Sequence, residues 1–176
     1  MKGVIEAVRF FKFAAQLLVL LGCSWAHAGS FEDFFTAVKR DDADAIVTLL
    51  NRGFDANTVD ANGNTGLFLA IKAPSLKVAD VFIQWPKTQV ESRTAKDESP
   101  LMMAALKGLT DVCAKLIARG ADVNKTGWTP LHYAATTGQV TVIDLLLQNH
   151  AYIDAESPNG STPLMMAAHY GSTESV

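Results

Sequence analysis

The chain has 176 residues, 49% hydrophobic and 19% charged, with 15 Lys+Arg against 18 Asp+Glu and a net charge of −3. That mildly acidic balance argues against nucleic acid or an anionic lipid surface as the partner. Two cysteines exclude a disulfide-dense scaffold.

Residues 1–28 read as a leader. Lys2, Arg9 and Lys12 make a positive start, diluted by Glu6, and an apolar run from Phe13 to Cys23 follows, broken by Gln16. Ala26-His27-Ala28 then supplies a small-x-small cleavage signature. The arrangement fits a bacterial-type secretory signal peptide cut near Ala28, which puts the mature chain in the periplasm or outside the cell. The apolar run is short of the roughly 20 residues a membrane-spanning helix needs. An alternative starts from Leu20-Leu21-Gly22-Cys23, which resembles the lipobox of bacterial lipoproteins and would anchor the chain through an acylated Cys23. Leu21 fits that box poorly. Cleavage after Ala28 leaves 12 Lys+Arg, 17 Asp+Glu and a net charge of about −5, with Cys113 as the remaining thiol.

Residues 29–64 read as an amino-terminal capping unit of two helices. Phe31, Phe34, Phe35 and Val38 mark the first helix, and Ile46, Val47, Leu49 and Leu50 the second. Asp41, Asp42 and Asp44 gather at the start of the second helix, where its dipole favours negative charge. Gly53 closes it.

Four versions of one phrase follow: Thr65-Gly66-Leu67-Phe68-Leu69-Ala70-Ile71, Ser99-Pro100-Leu101-Met102-Met103-Ala104-Ala105, Thr129-Pro130-Leu131-His132-Tyr133-Ala134-Ala135 and Thr162-Pro163-Leu164-Met165-Met166-Ala167-Ala168. Their starts lie 34, 30 and 33 residues apart, a period that marks stacked structural repeats. Thr or Ser caps the first free amides of a helix, and Pro fits the first helical position, where its missing N–H costs nothing. Gly108, Gly138 and Gly171 suit the turn after the phrase, and stripes such as Val112, Cys113, Leu116 and Ile117 predict a second helix.

The units differ in informative ways. In residues 65–98, Gly66 replaces the Pro, Pro74 replaces the Gly between helices and Lys87 replaces the closing Gly. Proline cannot follow glycine into positive φ, so a different turn is predicted there, and Trp85-Pro86 is predicted to end the second helix early. In residues 99–128 the connecting loop is trimmed. Thr58 to Asn64, Ser92 to Glu98 and Ala155 to Ser161 are seven-residue connections, whereas Lys125 to Trp128 is four, which predicts a blunted loop with Trp128 beside a notch. Residues 129–161 are the most regular, although His150 takes the place of the closing Gly. Residues 162–176 supply a first helix and then Gly171-Ser172-Thr173-Glu174-Ser175-Val176, so Leu164 to Ala168 would stay partly uncovered. The chain therefore reads as a fragment whose complete form carries at least roughly 20 further residues.

The Thr-Pro-Leu-His phrase at Thr129, together with Gly120-Ala121-Asp122-Val123-Asn124 closing the preceding unit, closely resembles the ankyrin repeat over most of the chain after Ser30. The resemblance implies an all-α repeat solenoid: stacked helix-turn-helix units joined by short β-hairpin loops, the last unit incomplete. It also implies that the His132 imidazole ties neighbouring units together. Loop fingers and first helices would form a concave binding face. By position, the candidate partner-binding residues are Lys72, Lys107, Thr136, Thr137, His169 and Tyr170 at first-helix ends, and Lys96, Asp97, Lys125, Trp128 and Asn159 on the fingers.

The sequence holds no Gly-rich phosphate loop, His-x-Glu pair, Cys-x-x-Cys pair or nucleophile elbow, so no catalytic residue, metal site or cofactor is assigned. The reading is an exported interaction module for a protein partner, an inhibitor or immunity-type protein being one form. It implies no nucleic acid, and no membrane unless Cys23 is lipidated; oligomeric state is left open. The alternative is an enzymatic or redox role for Cys113 or His169 in a cleft formed with further carboxyl-terminal residues. Cys113 lies on an apolar stripe, which favours a buried structural thiol.

Overall fold

The computed structural model describes residues 29–170; the leader at 1–28, the lipobox at Cys23 and the tail 171–176 lie outside the described residues. Helices come in successive pairs: α1 (29–40) with α2 (Ala43–Asn51), α3 (Gly66–Lys72) with α4 (Leu76–Gln84), α5 (Pro100–Leu106) with α6 (Thr110–Ala118), and α7 (Pro130–Thr136) with α8 (Val140–Gln148). A ninth helix, α9 (Pro163–His169), follows. First helices α3, α5, α7 and α9 pack in one row and second helices α2, α4, α6 and α8 in another, which makes the chain an all-α repeat solenoid.

The repeated phrase builds each first helix as its chemistry requires. Thr65, Ser99, Thr129 and Thr162 sit in extended backbone, and each side-chain oxygen accepts the N–H of the residue three further on. Ala70, Ala104, Ala134 and Ala167 are fully buried, as close approach of neighbouring first helices demands. One apolar cluster runs from Phe34 to Leu146, through Leu67, Phe82, Leu101, Leu116 and Leu131. The connecting loops carry little sheet: among the described residues, one isolated antiparallel bridge joins Val59 and Thr65.

Two local expectations are corrected. The turn at Pro74 keeps the geometry of its glycine counterparts: Ser75 N–H donates to Ala70 O at 2.7 Å, as Leu109 does to Ala104 O and Gln139 to Ala134 O, both at 3.0 Å. Holding this turn puts Pro74 at φ 22°, where the other turns use Gly108 and Gly138 at 68°. The ring is strained there, by about 1–3 kcal/mol. Pro74→Gly is expected to raise stability by about 1 kcal/mol after the lost stiffness of the unfolded chain is set against that relief. An unchanged or lower urea midpoint would contradict this.

The second correction concerns Trp85-Pro86. Helix α4 has nine residues, the same as α6 and α8, so Pro86 ends it on time rather than early. Pro86, rather than Lys87 as expected from sequence, stands two residues past the helix end where Gly53, Gly120 and His150 make the closing turn at positive φ, so that turn is lost here. Arg119, at the end of α6, supplies the compensation. Its guanidinium donates to the carbonyls of Ile83, Trp85 and Thr88. Trp85 itself packs half-buried against the core.

Candidate functional site

Three long loops share one tip. Asp60, Thr94 and Ser157 each donate a backbone N–H to the carbonyl four residues on, at 2.9, 3.0 and 3.0 Å. Each also accepts the N–H of that residue on a side-chain oxygen, at 2.8, 3.2 and 3.1 Å. The residue before it bends back at positive φ: Gly63, Asp97 and Gly160. Burial pushes the Asp60 carboxyl up, but the hydrogen bonds from Asn64 and Asn62 outweigh it and hold it below its usual range.

The trimmed loop, Lys125 to Trp128, makes no such tip. Gly127 turns at φ 84°, and a Cβ there would meet the Pro158 ring of the next finger at 3.5 Å. With no tip to occupy, Lys125 folds back and pairs with Asp97 on the preceding finger. Its side chain is only 10% exposed, so it is not a free tip cation. The Asp97 carboxyl is lowered by this hydrogen bond from Lys125. Trp128 is half-buried, its ring edge-on to the His132 imidazole at 5.3 Å.

Between the first two long fingers the structure brings Lys72 and Lys96 onto one groove of about 390 Å³, with Asn62, Asn64, Phe68 and Glu98. Lys72, Lys96 and Lys107 are exposed. Several other positional candidates are already engaged in hydrogen bonds. Thr136 Oγ1 donates to His132 O at 2.7 Å and Thr137 Oγ1 to Leu106 O at 2.9 Å. Asn159 Oδ1 accepts the Ser157 hydroxyl within its own turn. His169 and Tyr170 are exposed, with their rings edge-to-face at 4.9 Å. Glu98 was missed by sequence reasoning because it stands at the foot of a finger. There it accepts the Tyr133 hydroxyl at 3.4 Å, and burial, then the Glu98 charge, pushes that phenol up to about 12.

A family model described as ankyrin repeats, in a three-copy form, matches residues 34–126 and again 101–176. The chain belongs to the ankyrin-repeat family. It is 34% identical over 128 residues to neurogenic locus notch homolog protein 1 of Xenopus tropicalis, covering 71% of this chain and 5% of that protein. To the Homo sapiens protein of the same name it is 33% identical over 134 residues, 74% and 5% of the two chains. To Homo sapiens neurogenic locus notch homolog protein 2 it is 35% identical over 123 residues, 68% and 5%. The chain thus spans about 5% of the length of these curated relatives.

The ankyrin frame explains what holds the face rigid. His132 is buried; its Nδ1 accepts the Thr129 N–H at 3.2 Å, so Nε2 carries the proton and donates to Ser161 O at 2.9 Å, on the finger that leads into the Thr162 cap of the next repeat. Asn57 likewise clamps Lys87 O and Gln89 N, and Asn124 clamps His150 O and Tyr152 N. Asp41, read from sequence as a dipole charge, instead accepts the Val78 N–H of α4 at 2.9 Å, where Ser75 makes no side-chain cap. Asp42 is the residue that caps α2.

Ankyrin repeats serve as protein–protein interaction modules, and the geometry of the enzymatic alternative is unfavourable. Cys113 is fully buried, and burial pushes its thiol up to about 12, away from the thiolate that nucleophilic or redox work requires. Labelling of Cys113 by a maleimide in the folded chain is expected to be at least about a hundredfold slower than in urea, because access requires opening of the stack. Equal rates would contradict the packing. Among the described residues no group of three or more His, Cys, Asp or Glu could hold a metal ion, and no helix is long and apolar enough to cross a membrane.

Proposed function

We propose that this chain is an exported ankyrin-repeat module that binds a protein partner through its finger tips and first-helix ends. The observation that carries the reading is the groove between the first two long fingers, where the exposed Lys72 and Lys96 stand with Glu98 and the amides of Asn62 and Asn64. Two exposed ammonium groups and two side-chain amides around Glu98 suit a protein surface that presents carboxylates and other hydrogen-bonding groups. The trimmed loop next to it, with Trp128 half-buried, gives the face a step that favours shape-specific recognition. An inhibitor or immunity-type role is one form such binding takes. Export rests on the charged start, apolar run and Ala26-His27-Ala28 of the leader, with Cys23 as the alternative anchor.

Capture from a periplasmic extract tests the face. A Lys72→Glu, Lys96→Glu variant and a Trp128→Ala, Tyr170→Ala variant are each expected to lose about tenfold or more in partner affinity, while Lys77→Glu on the outer row leaves it unchanged. Equal capture by all three discards the face. Intact mass of the exported product is expected to begin at Gly29; a product retaining residues 1–28 would overturn the leader assignment.

A further inference from the structure

Asn57 and Asn124 each join their unit to the next by a two-point contact. The side-chain amide donates to a carbonyl of the next unit, and its oxygen accepts the N–H two residues further on. For Asn57 the partners are Lys87 O at 3.0 Å and Gln89 N–H at 2.8 Å; for Asn124 they are His150 O at 2.7 Å and Tyr152 N–H at 2.8 Å. At the junction between these two, Glu91 holds the corresponding place, and its Oε2 accepts the Asp122 N–H at 2.9 Å. The carbonyl two residues before that N–H belongs to Gly120. An ionised carboxylate has no hydrogen to offer it.

The second oxygen shows the mismatch. Glu91 Oε1 is shut off from solvent and makes no hydrogen bond; it meets the Arg93 guanidinium as an ion pair alone. A buried oxygen in that state is costly, and a proton would turn it into a donor. Burial, the largest influence, holds the carboxyl above its usual range. The Asp122 carboxylate acts in the same sense, while the Asp122 N–H and the charges of Arg93 and Lys125 favour the anion. Lys125 is already paired with Asp97. The group therefore sets three acids, Glu91, Asp97 and Asp122, against two cations, Arg93 and Lys125, and a proton on Glu91 balances it.

We propose that Glu91 is a proton-operated clamp between the 65–98 and 99–128 units: with a proton from solvent on Oε1, its carboxyl keeps the Asp122 N–H and donates to Gly120 O, as the amides of Asn57 and Asn124 do at every pH. The clamp tightens as pH falls, and Arg93, on the second long finger, gives up its anion. The junction it controls carries that finger and the trimmed loop, the two sides of the notch beside Trp128.

Carbon-detected NMR of the full chain reads the proton and the bond separately. The Glu91 carboxyl carbon, assigned by its loss in Glu91→Gln, is expected to titrate above the ordinary glutamate value of about 4.3. The Gly120 carbonyl carbon is expected to shift with the same midpoint. In Glu91→Gln, whose amide donates at every pH, the Gly120 carbonyl should not titrate and should sit near the parent's acid limit. Urea unfolding gives a second readout. Stability from a raised carboxyl is present below the unfolded value and is lost as pH rises through the folded one. Glu91→Gln is therefore expected to gain on the parent as pH rises above about 4.3, by at most about tenfold in the folding constant per pH unit until Glu91 is ionised. His132 titrates in both proteins and cancels in the comparison. A Glu91 carboxyl titrating at or below the ordinary value overturns the clamp. So does a Gly120 carbonyl that ignores that titration, or a stability difference that stays constant with pH.

Discussion

Replacing Gly66 by proline, which would restore the Ser/Thr-Pro-Leu opening of the other repeats, is expected to destabilise the chain by about 2 kcal/mol or more. On local grounds the change should help, since proline at the first helical position is preorganised and stiffens the unfolded chain, worth about 0.4–1 kcal/mol. Packing reverses the sign. A Cβ on Gly66 would lie 2.8 Å from Phe34 Cζ and 2.9 Å from Phe82 Cζ. Those rings cannot step aside, because Phe34 also packs at 4.7 Å on Phe54 and 5.1 Å on Phe35. In the neighbouring repeats, where proline is present, the position of Phe82 is held by Leu116 and Leu146. The cost of Gly66→Pro, measured by urea unfolding, should therefore fall by about half in a Phe82→Leu background, a coupling expected of residues that share one space. Equal costs in the two backgrounds would show that the rings are not the cause.

Removing the His132 imidazole is expected to cost about 3 kcal/mol, through an orphaned Thr129 N–H and the space left behind; the Ser161 carbonyl keeps its bonds from Ser157. The same geometry sets a pH dependence. Burial lowers the His132 pKa, partly opposed by hydrogen bonds to Ser161 and Ala155 carbonyls. The folded state thus keeps a neutral ring while the unfolded chain takes up a proton near pH 6.5. Stability from this group is present above about pH 6.5 and is lost as pH falls below it, by at most about 1.4 kcal/mol per pH unit until the folded ring also protonates. Unfolding of the parent chain between pH 7 and 5 should show this loss, and a His132→Gln variant should lack it. Parallel pH profiles would contradict the assignment.

The periodic features were legible because each repeat reports its own helix starts, turns and apolar stripes, and His132 stands in a phrase specific enough to carry its role. What escaped was pairwise and non-local. Gly66 and Pro86 look like erosion of a pattern when the repeat is read alone; the structure shows Phe34 and Phe82 filling the place of the first, and Arg119, one repeat later, tying up the carbonyls left by the second. Asp41 was read for its charge, yet its bond reaches Val78, 37 residues away. The candidate face was half legible. Positional matching found the exposed Lys72, Lys96 and Lys107, but it does not see that Lys125 spends its charge on Asp97 or that Thr136 and Thr137 spend their hydroxyls on helix carbonyls.

The measurement that bears hardest on the proposed role is site-specific photo-crosslinking in the full chain. The crosslinking residue goes in turn at Lys72, Lys107 and Thr137 on the first-helix ends, and at Lys77 and Asp111 on the outer row, all exposed positions. Adducts of one partner from the first three sites, with none from the last two, are the expected result. Adducts from Lys77 and Asp111 as strong as those from Lys72 and Thr137 would contradict it, because the partner would then sit on the wrong side of the stack.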